Sequence, residues 1–258
     1  MIDPLWTAGG LVAGALAGSF LSTLIIRWPQ GRSVMRGRSA CDGCGRVLAA
    51  RDLIPFFSAL LTRGRCRTCG GRIDPLHGRM EAACAVFGGL ALGAMPGFSG
   101  AVWALLAWVL LALAILDARH FWLPDALTLP LVFAGLTVGE LATGVVLRDR
   151  IIGAAVGYGA LLLIAVGYRR LRGRDGLGLG DAKLLGALGA WFGWHALPFQ
   201  LLVASFTGLL FVLATARRGE GMSASRRVPL GVFLCLAAIP GWLLMMRLLE
   251  GAHASLGQ

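Results

Sequence analysis

The chain has 258 residues, 57% of them hydrophobic and only 14% charged, with a mean hydropathy of +0.75. An ordinary soluble domain carries about 45–50% apolar and about 25% charged residues, so a soluble globular enzyme, a disordered chain and a collagen-like repeat are all excluded. A net charge of +11 would suggest nucleic acid in a soluble protein, but in a membrane protein basic residues first record orientation.

A spanning helix needs about 20 apolar residues. Eight runs approach that length: 5–26, 81–97, 101–116, 126–147, 151–168, 182–196, 198–215 and 229–248. Met1–Ile2–Asp3 lacks the basic segment of a cleaved signal peptide and no A-x-A site follows, so the first run is expected to stay as a helix. The expected fold is therefore an all-α polytopic membrane protein of about eight transmembrane helices. Its expected divisions are 1–26 as the first helix, 27–80 as a loop domain and 81–258 as the remaining bundle.

Residues 27–80 hold eleven arginines, at 27, 32, 36, 38, 46, 51, 63, 65, 67, 72 and 79. Arg119, Arg169, Arg170, Arg172, Arg174, Lys183, Arg217, Arg218, Arg226 and Arg227 fall on the same side, which leaves only Arg148, Arg150 and Arg247 for the other. The positive-inside rule makes the basic side cytoplasmic and puts both termini outside. Orientation and contact with anionic lipid account for the charge, so no nucleic-acid partner is expected.

Two C-x-x-C knuckles, Cys41–Asp–Gly–Cys44 and Cys66–Arg–Thr–Cys69, lie in this loop 21 residues apart. Each knuckle can wrap two thiolates around one tetrahedral ion, and Gly43, Gly45 and Gly70 permit the tight backbone. Disulfides are the alternative, and a reducing cytoplasm disfavours them. Four cysteine ligands leave no open position for a catalytic water, so one structural zinc ion is expected. Cys84 and Cys235 stand alone in apolar runs and read as packing residues. The four histidines show no H-E-x-x-H spacing, so a zinc peptidase has no support.

Two carboxylates stand at the cytoplasmic mouth of the expected bundle. Asp117 closes the run Trp103–Leu116, and Asp181 ends Gly178–Leu–Gly180–Asp181 and opens the next apolar run. Ionisable groups at membrane depth usually pair or face a polar cavity, and two adjacent carboxylates share a proton. Such a pair suits peptide hydrolysis, with one carboxylate activating water and its protonated partner polarising the carbonyl. Read singly, Asp117 is a helix-end residue and Asp181 a helix-start acid favoured by the dipole. Asp125, after Pro124, reads as an N-cap. Gly178 and Gly180 would let an extended substrate strand approach Asp181 closely. The glycines at 176–180 follow a basic loop, not a strand, which argues against a nucleotide loop.

In this order the segments resemble the type IV prepilin leader peptidases of the A24 aspartic peptidase family, including those that serve type II secretion. The resemblance rests on Gly18–Ser–Phe–Leu–Ser–Thr–Leu–Ile–Ile–Arg–Trp–Pro29, the paired knuckles, Asp52–Leu–Ile–Pro55 and Arg63–Gly–Arg–Cys66. It continues through Leu116–Asp117, Leu123–Pro–Asp125, Gly178–Leu–Gly–Asp181–Ala–Lys183 and Val228–Pro–Leu–Gly231. It implies a bacterial inner-membrane enzyme that cuts the leader of prepilins or pseudopilins after a Gly, on the cytoplasmic side. The new N-terminal residue would then be N-methylated with S-adenosylmethionine as donor. The family's catalytic aspartates correspond to Asp117 and Asp181, and its zinc cysteines to Cys41, Cys44, Cys66 and Cys69; no residue is assigned to the methyl donor. Ser22 stands where the family usually has Asn, and Leu76–His–Gly–Arg–Met80 departs from its usual stretch, departures that touch methyl transfer more than cleavage. The rival readings are a peptidase without methyl transfer, a non-enzymatic membrane protein that binds a partner through its zinc loop, and a transporter using the aspartates as a proton pair.

Overall fold

The structure is a computed structural model that describes residues 2–34, 39–41, 43–173, 176–217 and 228–256. Arg36, Arg38, Arg174, Arg218, Arg226 and Arg227 of the orientation argument lie outside the described residues. Among the described residues the regular structure is helical: α1 (Pro4–Arg27), α2 (Phe57–Thr62), α3 (Leu76–Ala94), α4 (Phe98–His120), α5 (Asp125–Thr143), α6 (Leu147–Arg172), α7 (Leu179–Phe192), α8 (Leu197–Arg217) and α9 (Leu230–Leu256). The chain divides into two compact units, Met1–Ala112 and Leu113–Gln258.

Each of the eight expected spans contains a helix, but the count of eight crossings is not reproduced. Five helices are long and apolar enough to cross a membrane, namely α1, α4, α5, α6 and α8, while α9 offers the shorter apolar stretch Leu230–Met246. The first two turns of α3 carry His77, Arg79 and Glu81, which shorten its apolar run. The 14 residues of α7 extend only about 21 Å at 1.5 Å per residue, less than the ~30 Å hydrocarbon core. The protein is a multi-pass membrane protein.

In the first unit α1 and α3 pack along a stripe of small residues. A Cβ on Gly14 would stand 2.1 Å from the Cys84 carbonyl oxygen, and one on Gly10 would stand 2.2 Å from that of Gly88. Without side chains at these points the two backbones approach closely, which is how membrane helices gain packing when lipid already satisfies their apolar surface. Asp3 starts α1 by accepting the Leu5 and Trp6 N–H groups at 2.9 and 3.2 Å. The Trp108 indole donates to the Cys84 carbonyl at 2.8 Å and ties α4 to α3.

The second unit is built around α7, in which every residue from Leu184 to Phe192 is buried. Being enclosed by α5, α6, α8 and α9 explains why a helix too short to span is apolar all round. Gly153 and Gly189 again bring backbones together, each Cβ position lying 2.4 Å or less from the other's carbonyl oxygen. Polar links sit where water is absent and each is satisfied on one partner at least. Thr143 Oγ1 donates to the Trp191 carbonyl at 3.0 Å, and Trp191 Nε1 donates to that of Leu131 at 2.8 Å. Arg150, only 2% exposed, donates to the Gly135 carbonyl and to Glu140.

Gly14→Leu should destabilise the first unit by about 1–3 kcal/mol or more through overpacking. Gly9→Leu, whose Cβ position meets nothing within 4 Å, should leave thermal stability in detergent unchanged. Equal melting temperatures for the two variants would refute the close packing of α1 on α3.

Candidate functional site

Four sequence segments converge at one place in the second unit. Asp117 lies in the last turn of α4, is 5% exposed, and its Oδ2 accepts the Val232 N–H at 3.0 Å. The Gly231 N–H faces it as well. Asp181 lies in the first turn of α7, with the N–H groups of Gly178 and Gly231 facing its carboxylate. The start of α9 therefore stands beside both acids, and the Asp117 charge acts on Asp181. Cys235, one turn further along α9, feels both charges.

The reason for this convergence is the start of α9. The first N–H groups of a helix have no partner within it and carry the positive end of its dipole. Gly231 and Val232 are such residues, so carboxylates satisfy them. Leu123 fills the space between the glycines: a Cβ on Gly180 would stand 3.0 Å from Leu123 Cβ, and one on Gly231 would stand 2.9 Å from Leu123 Cδ1. The same Cβ on Gly231 would lie 2.8 Å from Asp117 Oδ2, and one on Gly178 would lie 3.2 Å from Asp181 Oδ2. Gly178 and Gly231 thus leave room for the carboxylates, and Gly180 leaves room for Leu123.

Asp125 is not the N-cap that its position suggests. Pro124 occupies that place with no side-chain cap, and the Asp125 carboxylate accepts Lys183 Nζ at 2.6 Å instead. The pair joins the start of α5 to the first turn of α7.

The cysteines gather in the first unit. The Sγ atoms of Cys41, Cys44, Cys66 and Cys69 all lie within 4.8 Å of one another, close enough to hold a metal ion. The two knuckles repeat one design. Cys41 N–H donates to the Arg46 carbonyl and Gly45 N–H to that of Cys41, at 2.9 and 2.8 Å; Cys66 to Gly71 and Gly70 to Cys66 match them at 2.8 and 2.9 Å. Gly45 and Gly70 have φ of +70° and +67°, the left-handed region that glycine enters without a steric penalty. Four sulfurs at about 2.3 Å from one ion stand about 3.8 Å apart, and Cys41 and Cys69 Sγ are 3.9 Å apart. The N–H groups of Cys69 and Thr68 draw the Cys66 thiol down to about 6. At Cys69 the Gly71 N–H works downward, but the Cys44 and Cys66 sulfurs prevail and push the thiol up to about 11. Adjacent thiolates repel, and a dication removes that repulsion. The donor set fits a tetrahedral metal.

Two buried carboxylates that the spacing argument passed over organise this loop. Asp52 accepts Arg46 at 2.6 Å and Arg67 at 3.1 Å, so one acid clamps both knuckles. Glu81, 6% exposed on α3, accepts the Phe56 N–H at 3.0 Å. Asp52 opens the D-L-I-P segment and Glu81 is the acid inside an otherwise apolar run, which are the signals that mark them. Beneath the knuckles lies a cavity of about 290 Å³ lined by Ser19, Thr23 and Arg27 of α1, His77 and Glu81 of α3, and Asp52. Beside it, Ser22 Oγ lies 2.8 Å from the Ser19 carbonyl and 2.7 Å from His77 Nδ1. The two departures from the family pattern are therefore one contact.

A helical membrane bundle carrying two carboxylates on a shared helix start, with a four-cysteine loop, is the architecture of a membrane aspartic peptidase with a metal-bearing loop. Comparison with known proteins agrees. Residues 104–213 match the type IV leader peptidase family, and residues 12–94 match the bacterial peptidase A24 N-terminal domain. A prepilin leader peptidase/N-methyltransferase of Aeromonas salmonicida (strain A449) is 38% identical over 83% of this chain and 72% of its own length. The protein of the same name from Dickeya chrysanthemi is 36% identical over 93% of both chains, and that of Klebsiella pneumoniae is 41% identical over 78% of this chain and 91% of its own. No solved structure is matched. The chain belongs to the type IV leader peptidase family.

Purified protein should carry one divalent ion per chain by elemental analysis, and Cys66→Ser should lower that occupancy while Cys84→Ala leaves it unchanged. Full occupancy in Cys66→Ser would remove the four-sulfur site.

Proposed function

We propose that this chain cleaves the leader of type IV prepilins or pseudopilins after a Gly, at the cytoplasmic face of the bacterial inner membrane, and then N-methylates the new N-terminus. The observation that carries the reading is the pair Asp117 and Asp181, which meet at the start of α9 in a chain of the leader peptidase family. One carboxylate takes a proton from water as the oxygen adds to the scissile carbonyl. The protonated partner gives its proton to that carbonyl oxygen; the first acid then passes the proton taken from water to the departing amine, while the collapsing diol returns a proton to the partner. The Val232 N–H holds Asp117 in place throughout, and Gly178, which carries no side chain beside Asp181 Oδ2, gives an extended chain access there. The eleven arginines of residues 27–80 support the cytoplasmic placement of that loop.

In the same reading Cys41, Cys44, Cys66 and Cys69 bind one structural zinc, and residues 27–80 serve methyl transfer while 81–258 form the peptidase bundle. S-adenosylmethionine would supply an electrophilic methyl group on a sulfonium. The cavity beneath the knuckles is the place for it, because Glu81 and His77 offer acceptors there to a cationic donor and an incoming amine. A prepilin and the lipid bilayer are the partners.

Asp117→Asn and Asp181→Asn should each cost about a hundredfold or more in cleavage of a prepilin peptide, with insertion intact. Gly231→Ala should cost about tenfold or more by displacing Asp117. Asp125→Asn should keep cleavage within about tenfold, since a half-exposed ion pair contributes little. Substantial cleavage by either aspartate variant would end the two-aspartate mechanism.

Structural zinc supplies folding free energy to its loop, whereas packed helices hold the aspartates. Cys44→Ser should therefore lose methylation more severely than cleavage, and Asp181→Asn should still methylate a trimmed peptide. Mass spectrometry scores leader loss and methyl gain separately. A correctly folded Asp181→Asn protein that failed on trimmed peptide would indicate one shared site.

A further inference from the structure

We propose that α2 and the turn before it form an in-plane membrane anchor, which inserts into the phospholipid surface beside α1 and α3 and seats the cysteine loop on the bilayer. The segment presents apolar side chains outward: Phe57 is 65% exposed, Leu60 76%, Leu61 72% and Ile54 49%. Such a patch in a loop of this charge needs an occupant. The backbone turns it outward deliberately, because Phe56 and Arg63 at its two ends have φ of +60° and +51°, a region that bulky residues rarely enter.

The occupant is lipid because of depth. Phe56 N–H is held by Glu81, and Glu81 Cα lies against Gly18, 2.7 Å from that residue's Cβ position. Gly18 is nine residues before Arg27, the basic end of α1, hence about 13 Å inside it. Even with the glutamate extended toward the start of α3, the attachment stays level with the last turns of a membrane-spanning helix. Apolar side chains at that level meet acyl chains. Arg51, Arg63 and Arg65 flank the patch and are exposed, the arrangement of an interfacial segment that pairs a buried apolar face with basic residues at anionic headgroups. The inference goes beyond the assigned reaction and does not depend on it.

The test uses the full chain in vesicles of phosphatidylcholine and phosphatidylglycerol. An environment-sensitive fluorescent amino acid is placed at Leu61, and in a second protein at Leu60, by stop-codon suppression. Both positions are exposed, so folding is preserved. The proposal expects blue-shifted emission that is strongly quenched when the lipids are replaced by brominated ones. Water-like emission overturns it. Blue-shifted emission without bromolipid quenching also overturns it, since the face would then be covered by protein, whether this chain or a second copy.

Discussion

The arrangement in the second unit depends on the unpaired N–H groups at the start of α9. Inside an apolar bundle those groups cannot be left without acceptors, because an unsatisfied backbone donor costs about 1–3 kcal/mol. Asp117 answers Val232 at 3.0 Å, and the Gly231 N–H faces Asp117 and Asp181 together. The helix start therefore holds two acids together that would otherwise separate by charge repulsion, and it does so with dipole and hydrogen bonds, not with a basic side chain. An arginine or lysine in its place would pin both carboxylates in the ionised form. Backbone N–H groups orient the acids without adding a full positive charge.

Lys183 shows how that condition is kept. It sits two residues beyond Asp181 in the first turn of α7, and its ammonium is taken by Asp125 at 2.6 Å. A pair this exposed adds little stability, so its consequence is directional: the cation is drawn toward the start of α5. Leu123, one residue before Pro124, packs between Gly180 and Gly231, so the same short segment that supplies the counter-charge also supplies the apolar wedge under the acids.

Much of this was legible in the chain. Apolar runs located a helix in each of the eight places, the knuckle spacing located the four sulfurs that gather, and Asp117 and Asp181 were picked out by standing at the edges of apolar runs. What composition could not convey was which helices cross. The 14-residue α7 is as apolar as a span because other helices surround it, and hydropathy cannot separate protein from lipid as the apolar neighbour. Asp125 was misread for a related reason: a carboxylate after Pro124 has the local pattern of a cap, while its partner Lys183 is 58 residues away. Asp52 and Glu81 escaped the spacing argument because a buried acid is defined by the donors it meets, and Arg46, Arg67 and the Phe56 N–H are brought to them only by folding.

The two units solve one problem with different means. In each, a loop or helix start must be fixed beside a membrane without the large apolar core that would do this in a soluble domain. The second unit uses backbone donors and carboxylates within packed helices, where Gly178 and Gly231 leave room for the carboxylates and Gly180 for Leu123. The first unit has to fix a long loop, and a chain of that length carries more ordering entropy than a few hydrogen bonds offset. Its constraints are therefore cross-links: four sulfurs toward one ion, Asp52 joining Arg46 to Arg67, and Glu81 joining Phe56 to α3. The Asp52 and Glu81 carboxylates are buried while Arg46 and Arg67 reach the surface, so losing the donors strands a buried charge and costs more than the links' net contribution. A loop held this way is stable only when all of its links are made, whereas the acids beside α9 keep their place through helices that pack independently of them.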